Sequence, residues 1–476
     1  MTQVEPNTTD TESLAPDERL YDDEGVVRAK YIAHIGAAIA DRDALTLRRE
    51  VSEFHETELA DLLEALMPDQ RLALAMLLGR EFDLAALTEV DEAIRLEIVE
   101  ALPNDDLAAA VQGLDSDDAV YILEDMDAAD QEEILSRLPH EERIILQRAL
   151  TYPDESAGRR MQTEFVAVPA FWTVGQTIDY LRDEKELPDR FSQIYVVDPH
   201  FKLDGAVDLD QVLRTKRSAK MGAIKHETRH AIPVNMDQEE AAQIMEQYDL
   251  LSAAVVDEND RLVGVLTIDD VIDVIQEEAE EDILRLAGVG DEELSDNVIE
   301  TAKSRWPWLF VNTLTALIAS TVIGFFDATI EQMVALAVLM PIVASMGGNA
   351  GTQTMTVTVR ALATKDLDIY NAARVIRREA LIGLSNGLIF GLVVGCVASL
   401  WFGDYNLGLV IGMALIVNLM AAAMAGILIP LVMQKLGADP ALASSVFVTM
   451  VTDVIGFLSF LGFATWWFQL GRTIIG

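Results

Sequence analysis

Five long apolar segments in the last third of the chain, approximately 306–326, 331–358, 379–402, 407–433 and 441–469, restrict what it can fold into. Each is long enough to cross the ~30 Å hydrocarbon layer of a bilayer as a helix. With no water at that depth, every backbone N–H and C=O has to be satisfied internally, which a helix does by itself. The final segment carries one ionisable side chain between Ala441 and Phe468, Asp453, roughly halfway along. A carboxylate at membrane depth costs on the order of several kcal/mol, so its default reading is an ion or proton site facing a pore.

Charge divides the chain at about residue 305. The whole carries a formal net charge of −44, yet the part from 306 onward is nearly neutral, so almost all of the acidity belongs to the region before it. Such a region repels nucleic acid and anionic lipid and suits cations as partners. The first thirty residues are acidic and polar, without a basic start and an apolar core, which places the N-terminal part in the cytosol. Lys303 and Arg305, then Arg360, Lys365, Arg374, Arg377 and Arg378, then Lys435 lie on one side of the five segments, and the loops near Asp327 and Asp404 hold none. The positive-inside bias then puts the N-terminus in the cytosol and the C-terminus, with Arg472, outside a bacterial inner (plasma) membrane. The single cysteine, Cys396, rules out an intramolecular disulfide and a thiolate metal cage, and all six histidines precede residue 231. The membrane part therefore offers a cation only oxygen ligands. Without an imidazole there, intramembrane hydrolysis lacks its usual base or metal, and the chain does not read as an enzyme.

Residues 1–24 are rich in Thr, Asp and Glu and read as a disordered tail. From 25 to 152 apolar residues recur at spacings of three and four in units of about a dozen residues. "EALMPDQRLALAMLL", "EALPNDDLAAAVQGL" and "LSRLPHEERIILQRAL" each end one helix, turn at a proline and begin another. Two copies of a strand, helix, strand, strand, helix pattern follow, at 153–215 and 216–270: "EFVAVPAFWTVGQTIDYLR" with "QIYVVDPHFKLDGAVDLDQVL", and "RHAIPVNMDQEEAAQIMEQYD" with "SAAVVDENDRLVGVLTIDDVIDVI". Paired units ending in Gly264, Thr267 and Asp270 resemble cystathionine-β-synthase (CBS) domains, which are regulatory modules. A helical pattern from about Val271 to Leu286, bearing "QEEAEED", opens a 271–305 connecting segment before the 306–476 membrane part.

The second apolar segment contains "LMPIVASMGGNAGTQTMTVTVRAL". Pro341 removes a helix hydrogen bond, and Gly347, Gly348 and Gly351 permit unusual dihedrals around Asn349, Thr352, Gln353 and Thr354, so irregular backbone with freed carbonyls is expected along a conduit. The alternative is a glycine contact between helices, with Gly347 and Gly351 four apart. Carbonyls, an amide, hydroxyls and one carboxylate suit Mg²⁺, Ca²⁺ or Mn²⁺. Because Mg²⁺ sheds water reluctantly, a pathway for it would hold the hydrated ion, with Asp453 acting through bound water.

The helical repeat, the paired CBS units, the acidic helix and the five membrane segments together resemble the MgtE family of magnesium channels and transporters. "PIVASMGGNAGTQ", "RALATKDLD" and "DPALASSVFVTMVTDVIG" are the most specific parts. The resemblance implies an all-α N-terminal helical repeat domain, an α/β tandem CBS pair, a linking acidic helix and a five-helix transmembrane domain. It also implies a homodimer with a pore on the two-fold axis, formed largely by the second and fifth membrane helices. Asp453 matches the family's ion-binding acid, with Gly348, Asn349, Thr449 and Ser445 as neighbouring pore positions; relatives have Asn-Pro where this chain has Ser445-Val446. Matching positions of a Mg²⁺ sensor are Asp237, Glu239, Asp249, Asp270, Asp273, Glu278, Glu281 and Asp282, the last three on the helix before the membrane part. High Mg²⁺ would bridge these acids and lock that helix as a plug, whereas low Mg²⁺ would favour an expanded, open state. Some CBS pairs hold ATP through a Thr and an Asp three residues later, which the second unit keeps as Thr267 and Asp270; the first has Asp208 and Gln211, with Asp210 between them. An alternative function is secondary transport of divalent cations such as Co²⁺ or Mn²⁺.

Overall fold

The computed structural model describes residues 20–469 except 53, 186, 189, 228–229, 290–297, 368–370 and 442–443. Residues 1–19 of the expected tail, part of the connecting segment and the C-terminal end with Arg472 lie outside the described residues. Order begins earlier than the expected tail boundary. Leu20 is buried in the first core, Tyr21 bridges to Val27, and the Tyr21 hydroxyl donates to Asp61 at 2.6 Å. An apolar and an aromatic side chain next to a hydrophobic core outweigh the polar composition around them. The chain divides into two compact units, before and after Glu277.

In the first unit, helices α1 (Ala29–Ala40) and α2 (Ala44–Val51) precede a repeated hairpin. The pairs are α3 (Glu56–Ala65) with α4 (Pro68–Leu78), and α5 (Glu92–Ala101) with α6 (Asn104–Val111). After α7 (Ser116–Glu124) comes a third, α8 (Ala128–Arg137) with α9 (His140–Ala149). Corresponding helices start 36 residues apart, three times the dozen-residue unit expected. Leu66, Leu102 and Leu138 end the first helix of each pair and are buried. A proline follows each of Leu102 and Leu138 directly and Leu66 after one residue, where its fixed φ suits a helix start. One hairpin cannot cover its own apolar face; stacked copies share one core from Leu20 to Ala149.

After α10 (Ala157–Arg160), two equivalent three-stranded sheets form. The first has β1 (Ala167–Pro169), α11 (Val174–Asp183), β2 (Gln193–Val197), β3 (Leu203–Asp208), α12 (Leu209–Arg214) and α13 (Met221–Ile224). The second has β4 (Ile232–Pro233), α14 (Gln238–Gln247), β5 (Ser252–Val256), β6 (Leu262–Thr267) and α15 (Ile268–Ala287). In both, the first strand runs parallel to the second and the third antiparallel, with a bulge at the same place, Val196/Val197 and Val255/Val256. The copies share a cluster of Tyr195, Ala206, Ala254 and Val265, and the Tyr195 hydroxyl donates to Ser252 Oγ at 3.2 Å. Gly264 is required because Gln162 pairs with the neighbouring Val265: a Cβ on Gly264 would lie 2.8 Å from the Gln162 carbonyl oxygen. The acidic helix is continuous with the second unit's last helix, so Asp270 sits in the first turn of α15.

The second unit holds five helices long and apolar enough to span a membrane: α16 (Val298–Gly324), then, after the short α17 (Asp327–Gln332), α18 (Ala335–Ala363), α19 (Ala372–Phe402), α20 (Tyr405–Lys435) and α21 (Ser444–Phe468). The second span starts at Ala335 rather than 331, because α17 forms a separate turn before it.

The expected irregular backbone is absent. α18 is helical throughout 335–363, Pro341 included, and Gly347, Gly348 and Gly351 all keep negative φ. One proline costs a membrane helix a single hydrogen bond, which neighbouring packing tolerates. Two of these glycines serve close approach instead: a Cβ on Gly351 would lie 2.5 Å from Val448, and one on Gly347 would overlap Asn418. Gly383, Gly387, Gly391 and Gly395 do the same along α19, meeting α20 backbone at 2.7–3.0 Å from an added Cβ.

Candidate functional site: a polar helix seam and a cluster of acids

Within the membrane unit, α18 and α21 pack through Gly351 against Val448 and Thr452. Ser345, Asn349, Thr352 and Thr356 recur at helical spacing on α18 and are all exposed. Asn349 Nδ2 donates to Ser345 Oγ at 3.4 Å. Gly348 lies at the edge of this stripe, and an added Cβ there would meet nothing within 4 Å. On α21, the Thr449 hydroxyl donates to the Ser445 carbonyl at 2.9 Å, and the Thr452 hydroxyl to the Thr449 carbonyl at 2.9 Å. Asp453 is half-buried, and among the described residues no cation or hydrogen-bond donor is paired with it. A polar stripe on a membrane helix needs water or another chain beside it, since lipid cannot satisfy it.

Of the acids matched to the sensor, Asp237, Glu239, Asp249, Asp270 and Asp273 belong to the first unit and Glu278, Glu281 and Asp282 to the second. Asp237 caps α14, accepting from the backbone N–H groups of Glu239 at 2.9 Å and Glu240 at 3.4 Å. Glu239 accepts from Gln243 Nε2 at 3.1 Å. Asp249 is exposed at positive φ, +52°, directly after α14. Asp270 accepts from the Thr267 hydroxyl, so the two residues matched to nucleotide binding engage each other. Its second partner comes from the helical repeat: Asp117, with Asp118 beside it, reaches Asp270 from the start of α7. Burial, then the charge of Asp270, pushes Asp118 up to about 7, and burial raises Asp270 to about 6 despite the Thr267 bond. Asp117 is pushed well above the carboxylate range by burial and then by Asp270. Glu89 and Asp273 are likewise raised, chiefly by burial, and Asp273 acts on Glu89.

Asp117, Asp118 and Glu89 were not among the acids expected from the sequence. The run Asp115, Asp117, Asp118 was there to be read, but it also suits an ordinary helix start, where acids favour the dipole. Beyond residue 277, Glu278 lies on α15 one turn before Glu281 and Asp282. Glu281 pairs with Arg285, and Arg285 also reaches Asp439 at 2.7 Å, in the loop between α20 and α21. Burial and then Asp439 raise Asp282. Among the described residues no group of three His, Cys, Asp or Glu side chains is arranged to hold a bare metal ion. The Asp117, Asp118 and Asp270 carboxylates still fit a hydrated Mg²⁺, which keeps several of its waters and needs only one or two direct carboxylates.

A family model described as a divalent cation transporter matches residues 340–463, the intracellular N domain of the same family matches 54–155, and a CBS domain matches 227–277. The magnesium transporter MgtE of Bacillus subtilis is 32% identical over 424 residues, covering 89% of this chain and 91% of the relative. That of Enterococcus faecalis is 37% identical, covering 68% and 72%. A crystal structure of the cytosolic domain of the Mg²⁺ channel MgtE in complex with ATP is 27% identical, with a TM-score of 0.47, over 51% of this chain and 99% of that one.

Proposed function

This chain belongs to the MgtE family of divalent cation transporters, and on that premise we propose that two copies form a Mg²⁺ pathway through a bacterial inner membrane. The pathway is lined by the polar stripe of α18, with Gly348 and Asn349, and by Ser445, Thr449 and Asp453 of α21. The single observation that carries this reading is Asp453, the one ionisable side chain of α21, half-buried and without a counter-charge among the described residues. Desolvating a lone carboxylate is costly, and a hydrated divalent ion passing beside it supplies the missing positive charge. The N-terminal unit lies in the cytosol and the C-terminus outside, by the distribution of basic residues.

Cytosolic Mg²⁺ controls the pathway through the acids. Asp117, Asp118 and Asp270 share a half-buried space in which ionised forms repel, so protons or a divalent ion are expected to occupy it at neutral pH. With Mg²⁺ bound, the helical repeat and the second CBS unit hold together; without it, repulsion among them favours separation. Asp237, Glu239, Asp249 and Asp273, and Glu278, Glu281 and Asp282 on α15, add further Mg²⁺-binding charge. ATP binding through Thr267 and Asp270 requires that Asp270 first release Asp117, so nucleotide and the closed acid cluster compete.

The test is Mg²⁺ flux into proteoliposomes. Asp453→Ala is expected to remove flux while leaving the chain folded and its oligomeric state unchanged, and unaltered flux would sink the pathway. Asp117→Asn with Asp118→Asn is expected to weaken inhibition by Mg²⁺ on the cytosolic side.

A further inference from the structure

Asn418 lies in the middle of α20 and has no exposed surface at all. Its Nδ2 donates to the Val343 carbonyl of α18 at 2.8 Å, and its Oδ1 is buried with no hydrogen-bond partner among the described residues. The Val343 bond sets which way the amide points, since a flip would bring two carbonyl oxygens together. Two glycines face this side chain from different helices. A Cβ on Gly347 of α18 would lie 2.3 Å from Nδ2, and one on Gly456 of α21 would lie 2.8 Å from it. Gly347 adjoins Gly348 and Asn349, and Gly456 follows Asp453 by about one helical turn. One amide thus touches both proposed lining helices at the level of their lining residues.

Packing alone gives no reason for it. A leucine would fill the same space without leaving a carbonyl oxygen unpaired in an apolar interior, and an unpaired buried acceptor carries a stability penalty. Features that lower stability without local compensation concentrate at functional sites. We propose that Asn418 is a positioning residue for ion passage: its amide holds α18 and α21 at a fixed spacing and thereby sets where Asp453 stands relative to Gly348 and Asn349. This inference rests on the pathway reading given above.

Proteoliposome flux and thermal unfolding in detergent, measured together on the full chain, test it. Asn418→Leu is expected to keep or raise the unfolding temperature, because the orphaned acceptor is gone. It should nevertheless shift the half-saturating Mg²⁺ concentration, or the preference for Mg²⁺ over Ca²⁺, by about tenfold, the order expected when a working group is displaced by a fraction of an ångström. Gly456→Ala should produce a similar shift by pushing on the amide, and adding Asn418→Ala to it should restore values toward the native ones. A native ion preference and half-saturation in Asn418→Leu overturn the positioning role, as does failure of that rescue or a loss of flux that only follows a loss of stability. Asp453→Ala run alongside separates the two claims. If that variant conducts normally, the pathway itself falls; if it is inactive while Asn418→Leu is native, only the positioning role falls.

Discussion

The first unit and the unit of five apolar helices solve the same problem, holding polar groups in a folded interior, by opposite means. The first unit buries charge and answers it with charge. Arg95, 5% exposed, bonds Asp125 at 2.6 Å and lies 4.3 Å over the Tyr121 ring, while Arg160 bonds Glu277 at 2.7 Å and Gln238 at 3.0 Å. Its carboxylates near Asp270 are the exception, an accumulation of like charge. The membrane unit has almost no charge to place within its spans and relies on shape: glycines that let backbones touch, and one buried amide. The lesson is that the two units are open to different perturbations, charge and pH in the first and side-chain volume in the second.

That contrast breaks hardest at Asp453, where the proposed pathway makes the shape-built unit depend on a charge. Asp453→Asn keeps size and removes the charge, and it is expected to lower Mg²⁺ flux by about a hundredfold with little change in unfolding temperature, as when one preorganised charged group is removed from a working site. Arg95→Ala should show what a missing counter-charge costs in the first unit. It leaves Asp125 unpaired in a partly buried place, a loss of about 3 kcal/mol read from the urea midpoint of that unit's transition. Gly391→Val asks the converse question of the membrane unit. An added Cβ would already sit 2.7 Å from the Gly412 carbonyl oxygen, so overpacking should cost about 1–3 kcal/mol and lower the yield of folded protein from membranes.

A smaller effect should come from pH. The folded pKa values of Asp118, about 7, and Asp270, about 6, lie above the usual 3.8. Their contribution to stability is therefore fully present below about pH 4 and is lost as pH rises through 6 to 7. Without divalent ions, Asp118→Asn should melt higher than the native chain at pH 8 and equally at pH 4, and added Mg²⁺ should close the gap at pH 8. An unchanged difference at both pH values would remove the like-charge account. The smallest effect belongs to Lys202→Ala: Lys202 and Asp260 pair at 2.7 Å in the open, and thermal unfolding should not detect the loss.

Periodicity and composition made much of this architecture readable. Five apolar runs gave five membrane helices, and two similar strand-helix patterns gave two sheets with the same register and the same bulge. The pair Thr267 and Asp270 was singled out by the resemblance to CBS units alone; that the two side chains bond each other follows from their place three residues apart at a strand-to-helix junction. The glycines of α18 were legible as special but not in their use. Freedom to adopt unusual dihedrals and freedom to be touched by a neighbour leave the same letter in a sequence, and α18 uses only the second.

By itself the sequence determined which segments are long and apolar enough to cross a membrane, where the charge accumulates, and that one carboxylate would lie midway along such a segment, because solvation depends on local composition. Only the tertiary structure decided that Asp117 and Asp118 meet Asp270 from about 150 residues away, and that Asn418 stands between Gly347 and Gly456. Those meetings depend on how helices pack, and packing is fixed by shape complementarity between distant surfaces, which no local pattern of residues encodes.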